Sequence, residues 1–323
     1  MRYSFIDIPH FVSDVSYQKA MESMVYRLEI LSGVEAVYQV GSVSSPGISD
    51  LDLVVVFGEG NYCQQNYRDI LSTEKKYLFI HALYGSSRRL FVEAQRYTFF
   101  HNYKLLYGRD LIISPPVKPE EEKLLKQQIA FEFLLKMYIV MTVQRSYRII
   151  KLRALLLEAK AIQYDLEFLG IKNGPMLELV NRVLEIRHSW FEKKLPRNTV
   201  IQWFENFFEA LEKFLQENLE ERNFFMPGNE PFYLAPNIRV GIGPMLSYRR
   251  KGIALSSLTA PLFGKKQFNL NHRLNEFQFF VPGRSQDIPA VISKRFELLI
   301  QMQEYNNKYL PYFLPLSSSL KMF

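Results

Sequence analysis

Cysteine is almost missing from this chain: Cys63 stands alone in 323 residues. That excludes an internal disulfide framework and a cysteine-based zinc centre, and it suits a reducing compartment, so a cytoplasmic protein is expected. Long apolar runs are missing too. The most apolar helical stretch, FEFLLKMYIVMTVQ (131–144), is interrupted by Lys136 and is too short to span a bilayer, so no membrane partner is expected. The opening MRYSFIDIPHFVSDVSYQ has no positive segment followed by an apolar run, which argues against a secretory signal. There is no internal repeat, no low-complexity tract and no string of a recognised nucleic-acid-binding type.

What remains is ample material for a core. The chain is 48% hydrophobic and 15% aromatic, and its length suits two or three domains. The net charge of +7 suits an anionic partner such as a nucleotide, a nucleic acid or an acidic surface, and equally suits plain solubility.

Three zones are expected: 1–116, 117–225 and 226–323. In the first, SDVSYQKAMESMVYRLEIL reads as a helix capped by Ser13 or Asp14, and AVYQVGS and LDLVVVF as short β-branched strands. YCQQNYRDILSTEKK reads as a helix and YLFIHALYG as a third strand. The segment from Ser86 onward reads as a helix capped by Ser86 or Ser87, followed by an extended piece. Prolines in SPPVKPEEE (114–122) mark a linker, and Pro119 with three glutamates marks a helix start. Four or five bundled helices follow, broken near Gly170, Gly174 and Pro196. The last zone reads as short aromatic and glycine-rich segments, with hairpins, closed by a helix at about 288–305. The fold class expected is α+β: a small mixed β-sheet core, a helical bundle and a mixed C-terminal region.

The most informative stretch is VYQVGSVSSPGISDLDLVVVF (37–57). On a strand, residues two apart share a face, so Asp50 and Asp52 point together while Leu51 and Leu53 enter a core. Two neighbouring carboxylates repel unless solvent or a cation lies between them. Hard oxygen donors of this kind suit Mg²⁺, which keeps waters for phosphates to displace. Gly41-Ser42 ends the preceding strand; glycine allows close backbone approach, and the following amide and hydroxyl can donate to phosphate oxygens. Seven residues separate Ser42 from Asp50, and Pro46, Gly47 and Ser49 among them give a loop.

Gly41-Ser42, this loop and Ser49-Asp50-Leu51-Asp52-Leu53 together resemble the signature of the nucleotidyltransferase superfamily related to DNA polymerase beta, over roughly residues 15–110. The resemblance implies a small mixed-sheet nucleotidyltransferase core. It implies that Gly41 and Ser42 hold the terminal phosphates of an NTP, with Ser49 among the nucleotide-binding residues, and that Asp50 and Asp52 are catalytic and bind Mg²⁺ or Mn²⁺. A hydroxyl acceptor (a small molecule, a protein side chain or an RNA end) would attack the α-phosphate and pyrophosphate would leave.

The family also offers a third carboxylate from a neighbouring strand. Here the expected third strand presents His81, either a proton acceptor near neutral pH or a hydrogen-bonded core residue. Glu93 is the next candidate: on a strand it could face the two aspartates, on a helix it would be an exposed charge. The loop carries Val43-Ser44-Ser45 where many members have an Ala-Arg-Gly type element. Lys104 to Ile112, KLLYGRDLI, is similar to a Leu-Tyr-Gly-x-Asp segment of several relatives, or is a turn with Gly108 at positive φ and Asp110 as a local cap. Arg145, Arg148 and Lys151 are spaced by three, and on one helix face they could hold phosphates or be solvated; SYRRKG (247–252) is a second basic cluster. Two functions are therefore expected in competition: a Mg²⁺-dependent nucleotidyltransferase, or a weak or inactive relative that binds a nucleotide or a partner as a regulator.

Overall fold

The computed structural model describes residues 3–61, 63, 65–80, 83–97, 103–113, 116–193, 195–228, 231–309 and 312–313. The elements run β1 (Ser4–Ile6), α1 (Asp14–Glu29), β2 (Val34–Val40), β3 (Asp52–Phe57), α2 (Thr73–Leu78), β4 (Tyr84–Ser87), α3 (Arg88–Ala94), β5 (Tyr103–Gly108), α4 (Pro119–Tyr147), β6 (Ile149–Lys151), α5 (Leu152–Phe168), α6 (Pro175–Ser189), α7 (Arg197–Leu219), β7 (Phe232–Ala235), β8 (Ile238–Ile242), β9 (Ser247–Gly252), α8 (Ala260–Arg273), β10 (Asn275–Val281), α9 (Ala290–Tyr309) and β11 (Tyr312–Phe313). The class is mixed α+β with several small sheets. The chain divides into two compact units, one of residues 1–9, 123–292 and 318–323, the other of 10–122 and 293–317.

The second unit is built on a five-stranded sheet of order β11-β4-β3-β2-β5. β2 runs antiparallel to both β3 and β5, and β3 runs parallel to β4. α1 starts where Ser13 accepts the Ser16 N–H, with Asp14 in its first turn. Its buried residues Tyr17, Ala20, Met24 and Leu28 recur at helical spacing and share a core with Val37, Leu51, Leu53, Val55 and Phe57. The alternate residues of β3 and β2 face the other way, where Phe91 of α3 stacks on Tyr38 with centroids 5.2 Å apart. Gly108 ends β5 at φ +82°, and a Cβ there would lie 2.0 Å from the Glu35 carbonyl oxygen. Only glycine allows that approach.

The expected helix over YCQQNYRDILSTEKK is corrected. Residues 67–70 form turns, and the helix begins only at Thr73, where Ser72 accepts the Lys75 N–H. The expected strand YLFIHALYG is corrected with it: Tyr77 and Leu78 are helical, and strand pairing begins at Tyr84, against Val54.

α4 begins at Pro119 with Glu120, Glu121 and Glu122 in its first turn, belongs to the first unit from Lys123 on, and is buried along most of its length. α5, α6 and α7 follow; Gly170 and Gly174 take positive φ, and Pro196 precedes α7. α4 ends at Tyr147, because Arg148 adopts φ +54° and β6 pairs in parallel with β1. Arg145, Arg148 and Lys151 therefore do not share one helix face, contrary to the spacing argument. A four-stranded sheet of order β7-β8-β10-β9 completes this unit. β8 and β9 do not form the hairpin suggested by their closeness in sequence: β10 lies between them, parallel to β8 and antiparallel to β9. Among the described residues no helix is long and apolar enough to cross a membrane.

Candidate functional site

The register of β2 and β3 sets the geometry. Val40, the last residue of β2, pairs with Asp52, the first of β3, and with Tyr103 of β5. Asp52, Val40 and Tyr103 thus form one row across three strands and project to the same side. Gly41 and Ser42 follow Val40 directly and are exposed. Gly41 turns the chain out of the strand at φ +74°, with open space where a Cβ would be. Backbone there is open to a ligand.

Asp50 and Asp52 flank Leu51, which is buried in the α1 core and donates its N–H to the Leu78 carbonyl at 2.8 Å. Both aspartates are half-buried. Burial, and then the charge of Asp50, hold the Asp52 carboxyl well above the usual carboxylate range. Tyr103 feels the converse: burial and the Asp52 charge push its hydroxyl upward, so it stays protonated and can serve as a donor. Among the described residues no donor hydrogen-bonds the Asp52 carboxylate.

The loop between the two strands is braced from within. Ser49 is buried, and its hydroxyl accepts the Ser45 N–H at 3.1 Å. Tyr17 donates to the Ser49 carbonyl at 2.6 Å and accepts the Gly47 N–H at 3.0 Å. Tyr77 donates to the Gly47 carbonyl at 2.5 Å. Ser49 thus holds the shape of the loop instead of presenting its hydroxyl outward.

The remaining expected residues lie elsewhere. Glu93 is on α3, half-exposed, and pairs with Arg89 one turn away at 3.4 Å. His81 lies outside the described residues. Arg145 and Arg148 belong to the other unit; Arg145 donates to Glu205 at 2.9 Å and lies over the Phe208 ring. Asp110 accepts the Ile112 N–H and the Tyr38 hydroxyl, each at 3.0 Å, the local cap that the turn reading expects.

Sequence reasoning missed Tyr17, Tyr77 and Tyr103. Tyr17 carried a signal as a buried position of α1; the roles of Tyr77 and Tyr103 depend on pairings distant in sequence.

Two carboxylates at a strand start, one partly sunk in the sheet, are a donor set that fits a hard divalent cation. Among the described residues no group of three or more His, Cys, Asp or Glu gathers to hold a metal ion, so water and ligand oxygens would have to complete its shell. Set against known proteins, the chain matches no family model, no curated protein and no solved structure.

Proposed function

We propose that residues 10–122 form a nucleotidyltransferase core of the polymerase beta-like kind, which transfers a nucleoside monophosphate from an NTP to a hydroxyl acceptor and releases pyrophosphate. The observation that carries this reading is the pairing of Val40 with Asp52. It sets the exposed Gly41-Ser42 turn beside two carboxylates that share a strand start.

In this reading the Gly41 and Ser42 backbone and the Ser42 hydroxyl take the terminal phosphates. Asp50 and Asp52 hold Mg²⁺ or Mn²⁺. The bound cation would offset charge on the phosphoryl oxygens and allow the two carboxylates to stay ionised together. Tyr103, kept protonated, donates to an oxygen beside Asp52. Tyr17, Ser49 and Tyr77 fix the loop so that the turn keeps its place, and positioning supplies much of the rate.

A second reading is favoured by one observation. Neither β4 (YGSS) nor β5 (YKLLYG) carries a carboxylate, and Glu93 is engaged by Arg89. A protein that binds nucleotide without turnover would look the same.

One experiment separates them. The protein is incubated with labelled NTPs, Mg²⁺ and a cell extract, beside Asp50→Asn, and melted with each NTP. Label acquired only by the wild-type reaction supports transfer. An NTP at ~100 times its Kd should add about 2.7 kcal/mol of stability, and this shift without label supports binding alone. No shift with any NTP, in wild type as in the variant, sinks both.

A further inference from the structure

The β7-β8-β10-β9 sheet sorts its residues by face. Ile238, Val240, Phe277, Phe279 and Val281 point inward. On the outer face, the register lines up Tyr233, Arg239, Gln278 and Arg249 in one row across all four strands. With strands ~4.8 Å apart, that row is about 14 Å long. Lys251 and Glu276 are paired two residues along, and the row borders an open cavity of about 450 Å³. The Arg239 guanidinium lies 5.0 Å from the Tyr233 ring centroid and that of Arg249 lies 5.5 Å from Phe280. Among the described residues neither arginine nor Lys251 has a carboxylate in ion-pair contact. Among the described residues, three cations thus share this face with one acid, Glu276.

Protection of a sheet edge accounts for part of this. Cations on an edge strand such as β9 discourage pairing with another chain. Arg239, however, lies on β8, inside the sheet, and an edge guard needs neither the exposed Tyr233 ring nor a row that alternates ring, cation, amide and cation.

We infer that this face binds single-stranded nucleic acid. Arg239, Arg249 and Lys251 neutralise phosphates along the strand. Bases stack on Tyr233 and Phe280 and on the guanidinium groups that lie over those rings. Gln278, at the centre of the row, offers an amide donor and acceptor to a base edge. A duplex hides the base faces that the rings would contact, and an acidic peptide would use the cations but not the rings. The inference does not depend on the reading of Asp50 and Asp52, which lie in the other unit.

The test uses the full chain with EDTA and no NTP, so that it stands whatever the aspartate pair does. Fluorescence anisotropy is measured with a labelled mixed-sequence RNA of about 12 nucleotides, a site length within the range of such surfaces. The same RNA as a duplex and a labelled acidic peptide of equal charge are run beside it. The single strand is expected to bind at least about tenfold more tightly than either, with affinity falling as salt rises. Arg239→Gln with Arg249→Gln should weaken binding by about tenfold or more and flatten the log–log salt slope by about 1.4, at ~0.7 per lost phosphate contact. Tyr233→Ala should weaken binding with the salt slope unchanged. Circular dichroism checks the fold; should the double variant unfold, Lys251→Gln on the exposed edge reads the same charge contact. No binding of the single strand at about 50 mM salt overturns the inference. So does equal binding of the duplex or the peptide, or unchanged affinity in the folded variants.

Discussion

Tyr17 holds Ser49 across the loop that joins β2 to β3: one phenol, on the buried face of α1, donates to the Ser49 carbonyl at 2.6 Å and accepts the Gly47 N–H at 3.0 Å. The turn at Gly41-Ser42 and the carboxylates at Asp50 and Asp52 are the two ends of that loop, so its shape sets their separation.

Tyr17→Phe keeps the ring in the α1 core and removes both hydrogen bonds. The buried Gly47 N–H loses this acceptor and the Ser49 carbonyl loses this donor, which costs about 1–3 kcal/mol. Urea denaturation should show a lower midpoint with an unchanged slope. An unchanged midpoint would mean that the loop does not need this brace.

Asp52→Asn acts with the opposite sign. Burial and Asp50 raise the Asp52 carboxyl, so ionising it disfavours the folded state. Its stabilising contribution is full below the ordinary carboxylate range and is lost as pH rises through its own raised value. In metal-free buffer at neutral pH the variant should therefore melt higher than wild type, and the difference should vanish in acid. A lower melting temperature at neutral pH would show that the charged form is already compensated.

Glu93→Gln tests the exposed acid. The Arg89–Glu93 pair is an open i,i+4 pair on α3, and its loss should change stability by less than about 0.5 kcal/mol. Labelled-NTP transfer, where seen, should be unaffected. A fall of about a hundredfold would instead place Glu93 among the catalytic groups.

Gly108→Ala requires a Cβ 2.0 Å from the Glu35 carbonyl, on a backbone at φ +82°. The strained conformation alone costs more than about 1 kcal/mol, and the contact must move β2 or β5. Thermal melting should report a clear loss; an unchanged melting temperature would mean that the β5 turn is free to shift.

His272 sets an acid sensitivity in the other unit. Its Nδ1 accepts the Asn237 amide at 2.9 Å, and burial, then Lys151, lower its pKa from the ordinary 6.5. A depressed group supports the fold above its unfolded value and withdraws that support as pH falls through the folded one. Wild type should lose stability as pH drops below about 6.5, and His272→Gln should show a flatter dependence over that window. Parallel curves for the two proteins would count against this assignment.

The parts of the fold legible in the sequence were those set by local chemistry. Ser13 caps α1, the Ser87 cap starts α3, Pro119 and three glutamates open α4, and the β-branched runs of β2 and β3 are strands. The period of two correctly placed Leu51 and Leu53 in the core. Elements that depend on distant partners were not legible. The apolar run after Lys76 suits a helix or a strand equally, and the pairing of β4 with β3 decides where strand begins. Nothing near Arg148 announces that residues 149–151 pair with 4–6. The site divides the same way: the adjacency of Asp50 and Asp52 follows from spacing, whereas the inward role of Ser49 follows from Tyr17 and Ser45.

The sheet order β7-β8-β10-β9 also bears on how the chain is made. As residues emerge from the ribosome in order, β8 and β9 appear well before β10, the strand that must sit between them. Their neighbouring edges must stay apart until about twenty further residues arrive, since premature closure of β8 on β9 would shut the central strand out. Gly243 still donates its N–H to the Val281 carbonyl at 3.0 Å, and Pro244, which has no N–H to give, ends the pairing; residues 243–246 then carry the chain across the slot that the late strand fills.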